Sequence, residues 1–190
     1  MKNLKSISYN FFIKYKVLLL IKIMIVLCIG LSNCRYDPQE QKPNLEARQK
    51  ENLIRINKYL VGKDDDLIKG YVKRRNWVMQ TTQTGLWYMI YERGSGNPVS
   101  AGKLLTIKYK VSLLDGTLCY SSDKLGPKKF RAGKGDVETG LDEGIMMLRV
   151  GDKARFILPP HLAHGLIGDE DQIPPRAIIV YDLEITQQSN

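Results

Sequence analysis

Cysteine and histidine are scarce in this chain, with three cysteines and two histidines among 190 residues. Cys28 lies inside an apolar N-terminal run, Cys34 follows it closely, and only Cys119 belongs to the body of the chain. No disulfide framework can be drawn from that set, so a small disulfide-stapled scaffold is excluded. His161 and His164 stand near Asp169, Glu170 and Asp171, a grouping that invites a metal site. The prolines and glycines of "LPPHLAHGLIGDEDQIPP" argue instead for a loop between two strands, with the acids solvated at its tip. Acidic residues are absent from the first 33 positions, which hold five lysines. Without that segment the formal charge of +9 falls to 24 basic residues against 20 acidic ones. No Lys/Arg stripe interleaved with aromatics appears, and "KGYVKRRN" (residues 69–76) reads as a solvated helix face, so no nucleic-acid partner is expected. The longest apolar run, residues 17–31, is interrupted by Lys22 and falls short of the roughly 20 residues that span a bilayer.

What the N-terminus does contain is a targeting element. Residues 1–33 read as a lipoprotein signal peptide: early lysines, the apolar run, then "LSNC". That tetrapeptide resembles a bacterial lipobox, with Cys34 as the residue that takes the lipid. A diacyl anchor holds a protein stably on a membrane, so the expected address is the cell envelope, lipid-anchored and facing the periplasm. Residues 34–44, polar and proline-containing, read as a tether. Residues 45–84 read as a helical segment. Leu53, Ile56 and Leu60 follow helical spacing up to a stop at Gly62, and a second short helix starts at Asp64–Asp66 with Leu67, Ile68, Tyr71 and Val72 on one side. Two short helices cannot bury a core alone; they either pack on the following domain or form a homodimer with a second copy.

From residue 85 the pattern changes to period two. "GLWYMIYERGSG", "KLLTIKYKVSLLDG", "ARFILP" and "AIIVYDLEIT" read as four strands, the second closed by an Asp115-Gly116 turn. "VETGLDEGIMML" sets Val137, Leu141, Ile145 and Leu148 at helical spacing. Antiparallel strands with one short amphipathic helix give an α+β domain over residues 85–190.

Three stretches, "IKYKVSLLDGTLCYSS", "FRAGKGDVETGLDEGIMMLRVGDKARFILPP" and "AHGLIGDEDQIPPRAIIVYDLEI", together resemble the FKBP-type peptidyl-prolyl cis-trans isomerases in order and spacing. The resemblance implies an antiparallel sheet wrapped around one short helix, with the loop that carries both histidines overhanging an apolar pocket. It also implies an enzyme acting on proline-containing polypeptide clients. The pocket wall it implies comprises Tyr109, Phe130, Val137, Leu141, His164, Ile173 and Tyr181, and the backbone N–H of Glu138 matches the donor to the bound peptide carbonyl. Such a site works without a nucleophile, and the resemblance implies neither a metal nor a cofactor: an apolar cradle that strips water from the amide favours its twisted, less polarised state. This chain has Cys119-Tyr120 where the family commonly has Phe-Asp, Leu141 for a floor Trp, His164 for a Tyr and Tyr181 for a Phe. A shallower cradle and weaker catalysis are expected, with a non-catalytic chaperone or binding module of the same fold as the alternative. Cys119 reads as a small pocket or core residue. The N-terminal helices and the "GLWY" strand resemble in particular the lipid-anchored members associated with bacterial gliding motility, which implies a role in motility or in handling envelope proteins.

Overall fold

The computed structural model describes residues 42–189. Its first element is a single helix, α1 (Lys42–Arg74). The expected break into two short helices does not occur. Gly62 lies inside the helix, where a β-carbon would meet nothing within 4 Å and glycine costs only about 1 kcal/mol relative to alanine. The three acids beyond it are placed without needing a helix start. Asp65 pairs with Lys69 one turn on at 2.6 Å and accepts from the Trp87 indole at 3.3 Å, while Asp64 pairs with Arg176 at 3.0 Å. The last three residues of the expected tether are therefore helical; the rest of it, Cys34 and the signal segment lie outside the described residues. No described helix is long and apolar enough to cross a membrane.

From Ile54 onward the chain forms one compact unit. Seven strands make one antiparallel sheet: β1 (Gln80–Thr81), β2 (Trp87–Glu92), β3 (Leu104–Leu113), β4 (Leu118–Ser121), β5 (Lys128–Arg131), β6 (Lys153–Leu158) and β7 (Ile179–Ser189). Their order is β1-β2-β6-β7-β3-β4, and β5 pairs with β3. The four strands read from the sequence are present; β1, β4 and β5 are additional. Between them lie a one-turn helix α2 (Ser122–Leu125), α3 (Thr139–Ile145) and a 3-10 turn (Pro160–Leu162).

Alternation along the strands sorts the side chains into two apolar clusters. Leu105, Ile107, Tyr109 and Val111 of β3, Ala154, Phe156 and Leu158 of β6, and Ile179, Tyr181, Leu183 and Ile185 of β7 form the main core with Leu141 and Ile145 of α3. The intervening Ile157 and Val180 face the other way and join Ile178 with Ile68, Tyr71 and Val72 of α1. β6 and β7 are thus covered on both faces, and each fully buried aliphatic side chain contributes roughly 1.5–3 kcal/mol. The glycines of α3 set how closely that helix lies on the sheet. A β-carbon at Gly144 would stand 2.5 Å from the Phe156 ring, and one at Gly140 would stand 2.7 Å from Leu158.

A buried carboxylate fixes the entry to β6. Asp152, with no exposure, accepts from the amides of Gly94 at 2.7 Å and Arg149 at 2.9 Å and from the Arg93 guanidinium at 3.1 Å. These donors satisfy an acceptor that would otherwise destabilise the fold by several kcal/mol.

Candidate active site

The chain segment before α3 carries the centre of the site. Glu138 stands at the N-cap of the helix, makes no side-chain cap hydrogen bond and packs its side chain inward. The carboxylate is only 10% exposed, and its Oε1 accepts from the Tyr181 hydroxyl at 2.8 Å. His164 Nε2 stands 3.2 Å from the same oxygen, but its orientation makes no hydrogen bond, and both His164 Nε2 and Glu138 Oε2 are buried without a hydrogen-bond partner. The nearest cation to Oε2 is Lys128 Nζ at 3.7 Å. That ammonium also lies 5.9 Å from the centre of the Tyr109 ring, and the Tyr109 and Tyr181 rings are tilted against each other with centroids 6.4 Å apart.

Of the residues named from the sequence, Tyr109, Glu138, His164 and Tyr181 are therefore joined by direct contacts or ring packing. Leu141 and Ile173 are buried in the cluster that contains both tyrosines, and Val137 packs on its edge half-buried. Phe130 is buried in the same core, opposite Leu105 in the ladder; Lys128, two residues earlier on the same face of β5, is the residue that meets Glu138. Sequence reading passed over Lys128 as one charge among many and used Glu138 only for its backbone. Its signal was the two-residue offset from Phe130 on a strand, which puts both side chains on one face.

The loop from Gly165 to Arg176 follows His164 and places Ile173 in the same apolar cluster. Its neck is pinned where the Arg176 amide donates to the Gly165 carbonyl at 3.0 Å, and Arg176 in turn grips Asp64 of α1 through both carboxylate oxygens. Inside the loop Asp169 accepts from the amides of Ile173 at 2.7 Å and Asp171 at 3.0 Å. The Tyr120 hydroxyl of β4 donates to Asp169 and, at 3.2 Å, to Asp171. Gly168 is required here because its φ is +82° and a β-carbon would meet the Ile173 carbonyl at 2.2 Å. The two histidines have separate duties: His161 Nε2 shares a 2.9 Å hydrogen bond with the Thr84 carbonyl, whereas His164 faces Glu138. Among the described residues no three His, Cys, Asp or Glu side chains converge as a metal would need.

Electrostatics follow from this packing. Burial, then the neighbouring Glu138 charge, pushes the Tyr181 phenol well above its ordinary value and raises Tyr109 in the same way. Burial disfavours the Asp169 charge, but the Tyr120 hydroxyl and the Ile173 and Asp171 amides outweigh it and hold the carboxyl below its ordinary value. The Cys119 thiol is raised by burial and by Asp169 and Asp115. It stays protonated at neutral pH, which disfavours it as a nucleophile.

An antiparallel sheet curled around one short helix, with tyrosines of adjacent strands over the helix start and a long loop above them, defines a class of fold. The crystal structure of AtFKBP13 matches it with a TM-score of 0.57 and 28% identity, covering 59% of this chain and 99% of that one. Residues 96–186 match the family model for FKBP-type peptidyl-prolyl cis-trans isomerases. Similar proteins include Fkbp12 of Drosophila melanogaster, 41% identical over 85 residues, covering 44% of this chain and 79% of that protein. The isomerase FkpA of Buchnera aphidicola is 33% identical over 150 residues, covering 78% of this chain and 55% of that protein. Human FKBP9 is 39% identical over 87 residues, covering 45% of this chain, which spans only 15% of that protein's length. This chain belongs to the FKBP-type peptidyl-prolyl cis-trans isomerase family.

Proposed function

We propose that residues 85–190 catalyse cis-trans isomerisation of peptide bonds preceding proline, in segments of envelope or secreted proteins. The observation that supports this reading most directly is that Tyr109, Val137, Leu141, Ile173 and Tyr181 share one apolar cluster, with the Tyr109 and Tyr181 rings packed together and Tyr181 bonded to Glu138 at the start of α3. Twisting a prolyl amide meets a barrier of roughly 20 kcal/mol because resonance is lost. Apolar walls that exclude water from the amide favour the twisted state over the planar one, and no covalent step is required. A protease-free isomerisation assay on the full-length protein in detergent tests the reading. Catalysed exchange above the spontaneous rate is expected, and none with any residue before proline would refute it.

A second reading, a non-catalytic module that holds clients, has one observation in its favour. The Glu138–Lys128 pair sets charge beside the Tyr109 and Tyr181 side chains, where a purely apolar cradle would carry none. The same assay, run beside peptide affinity, separates the two.

Lipidation at Cys34 and a periplasm-facing position on a membrane complete the proposal, together with a role in gliding motility or surface-protein secretion. Labelling with a radioactive fatty acid should mark the parent and fail for Cys34→Ser. Equal labelling of both would refute the anchor.

A further inference from the structure

We infer that this site prefers proline bonds flanked by lysine or arginine. The inference takes its substrate class from the isomerase reading, but its readout can be affinity alone. Its first basis is Glu138 Oε2, which lies 3.7 Å from Lys128 Nζ and makes no hydrogen bond. The side chain is nine-tenths buried, Oε1 is occupied by Tyr181, and Oε2 has no hydrogen-bond partner. A buried carboxylate oxygen left in that state destabilises the free protein, so a bound group that donates to it recovers interaction energy that an apolar group cannot.

The second basis is the loop above. Asp169, Glu170 and Asp171 stand consecutively on it, and none of them forms an ion pair among the described residues. The first and third are held in place by the Tyr120 hydroxyl, while Glu170 is exposed. Asp169 lies close enough to His164 for an electrostatic interaction, and His164 Nε2 stands 3.2 Å from Glu138, so His164 links the acidic loop to the buried carboxylate. Glu138, Asp169, Glu170 and Asp171 together outweigh Lys128, the cation paired with Glu138. A cationic side chain beside the bound proline is attracted by that excess, a neutral one is not, and an acidic one is repelled. Lysine and arginine also have stems long enough to carry the charge to Oε2 while the proline occupies the apolar wall.

The test uses the full-length protein in detergent and fluorescein-labelled tetrapeptides in which Lys, Arg, Leu or Glu stands before proline, and a second set in which it stands after. Affinity is read by anisotropy and isomerisation by the protease-free assay. Lysine and arginine peptides should exceed leucine by about fivefold at one of the two positions, as a partly screened charge pair provides. Glutamate should be the poorest, and the basic advantage should fall at least twofold in Glu138→Gln. Should that variant fail to fold, the double change Glu170→Gln with Asp171→Asn, both on exposed positions, must lower the same ratio. Equal affinity for lysine, leucine and glutamate peptides, or an advantage unchanged in the variants that fold, would overturn the inference. Absence of isomerisation with all peptides would remove the isomerase reading, while the affinity ranking would still decide this one.

Discussion

Tyr181 and Glu138 form a buried pair whose coupling can be measured. Tyr181 is 1% exposed and its hydroxyl donates to a carboxylate oxygen at 2.8 Å. Tyr181→Phe keeps the ring and leaves Glu138 charged and buried with one donor fewer; hydrogen bonds to charged groups are worth ~1.5–3 kcal/mol, so a loss in that range is expected. Glu138→Leu leaves the phenol buried without its acceptor, at ~1–3 kcal/mol, partly offset by the apolar group that replaces the carboxylate. The double variant has neither orphan. It should be close to the parent in stability, because replacing a buried polar pair by apolar groups of similar shape is nearly neutral. Urea denaturation of the four proteins, with equal slopes, then gives a coupling energy close to the sum of the two single losses, about 2–4 kcal/mol. The phenol is held protonated by burial and by the Glu138 charge, so the coupling should persist through mildly alkaline pH. Single-variant losses that add to within about 0.3 kcal/mol would show that the two groups do not act together and would refute the site geometry.

Three further outcomes are expected. Gly144→Ala drives a β-carbon into the Phe156 ring and should lower stability by about 1–3 kcal/mol, read from the thermal midpoint. Asp64→Ala removes the partner of Arg176; because the guanidinium is partly solvated, the loss should be about 1–2 kcal/mol, and hydrogen exchange in residues 165–176 should quicken. Asp169 has a folded-state pKa held below the ordinary 3.8, so its contribution is present above that value and is lost as the pH falls through the lowered one. The stability gap between the parent and Asp169→Asn should be level above about pH 4.5 and shrink on further acidification, and a gap that widens there would contradict the assignment.

The strands legible in the sequence were those whose alternation runs long enough to be seen. β3 alternates core and surface from Leu105 to Val111, and its turn is stated outright by Asp115-Gly116, where the Leu113 and Thr117 backbones bond and Asp115 takes the Thr117 amide at 2.8 Å. β1 with two residues and β4 and β5 with four each are too short to show a period; their partners, not their own sequences, make them strands. The helix break expected at Gly62 failed for the opposite reason. Local propensity pointed to a stop, but burial of Ile68, Tyr71 and Val72 against the sheet and the Asp64–Arg176 contact reward one continuous helix. At the site, the tyrosines and aliphatics were legible because they follow the family's spacing. The Lys128–Glu138 pair was not, since two charges ten residues apart signal nothing until β5 and the start of α3 are folded side by side.

The position of β7 in the sheet has a consequence for how the chain reaches this state. It lies between β6 and β3, and its register with β3 joins Leu113 to Ile179 and Leu104 to Ser189. The centre of the sheet is thus the last described strand in sequence, and although β4 and β5 pair with β3 locally, its other edge has to wait for a partner more than sixty residues away. Pairing over such separations makes folding slow. A chain that emerges N-terminus first exposes the apolar face of β3 until residues 179–189 have followed, so closure of the sheet comes after most of the domain has been synthesised. Stalling the chain at residue 175 should leave it protease-sensitive throughout β3, and protection should appear only once Ser189 has cleared the ribosome or the translocation channel.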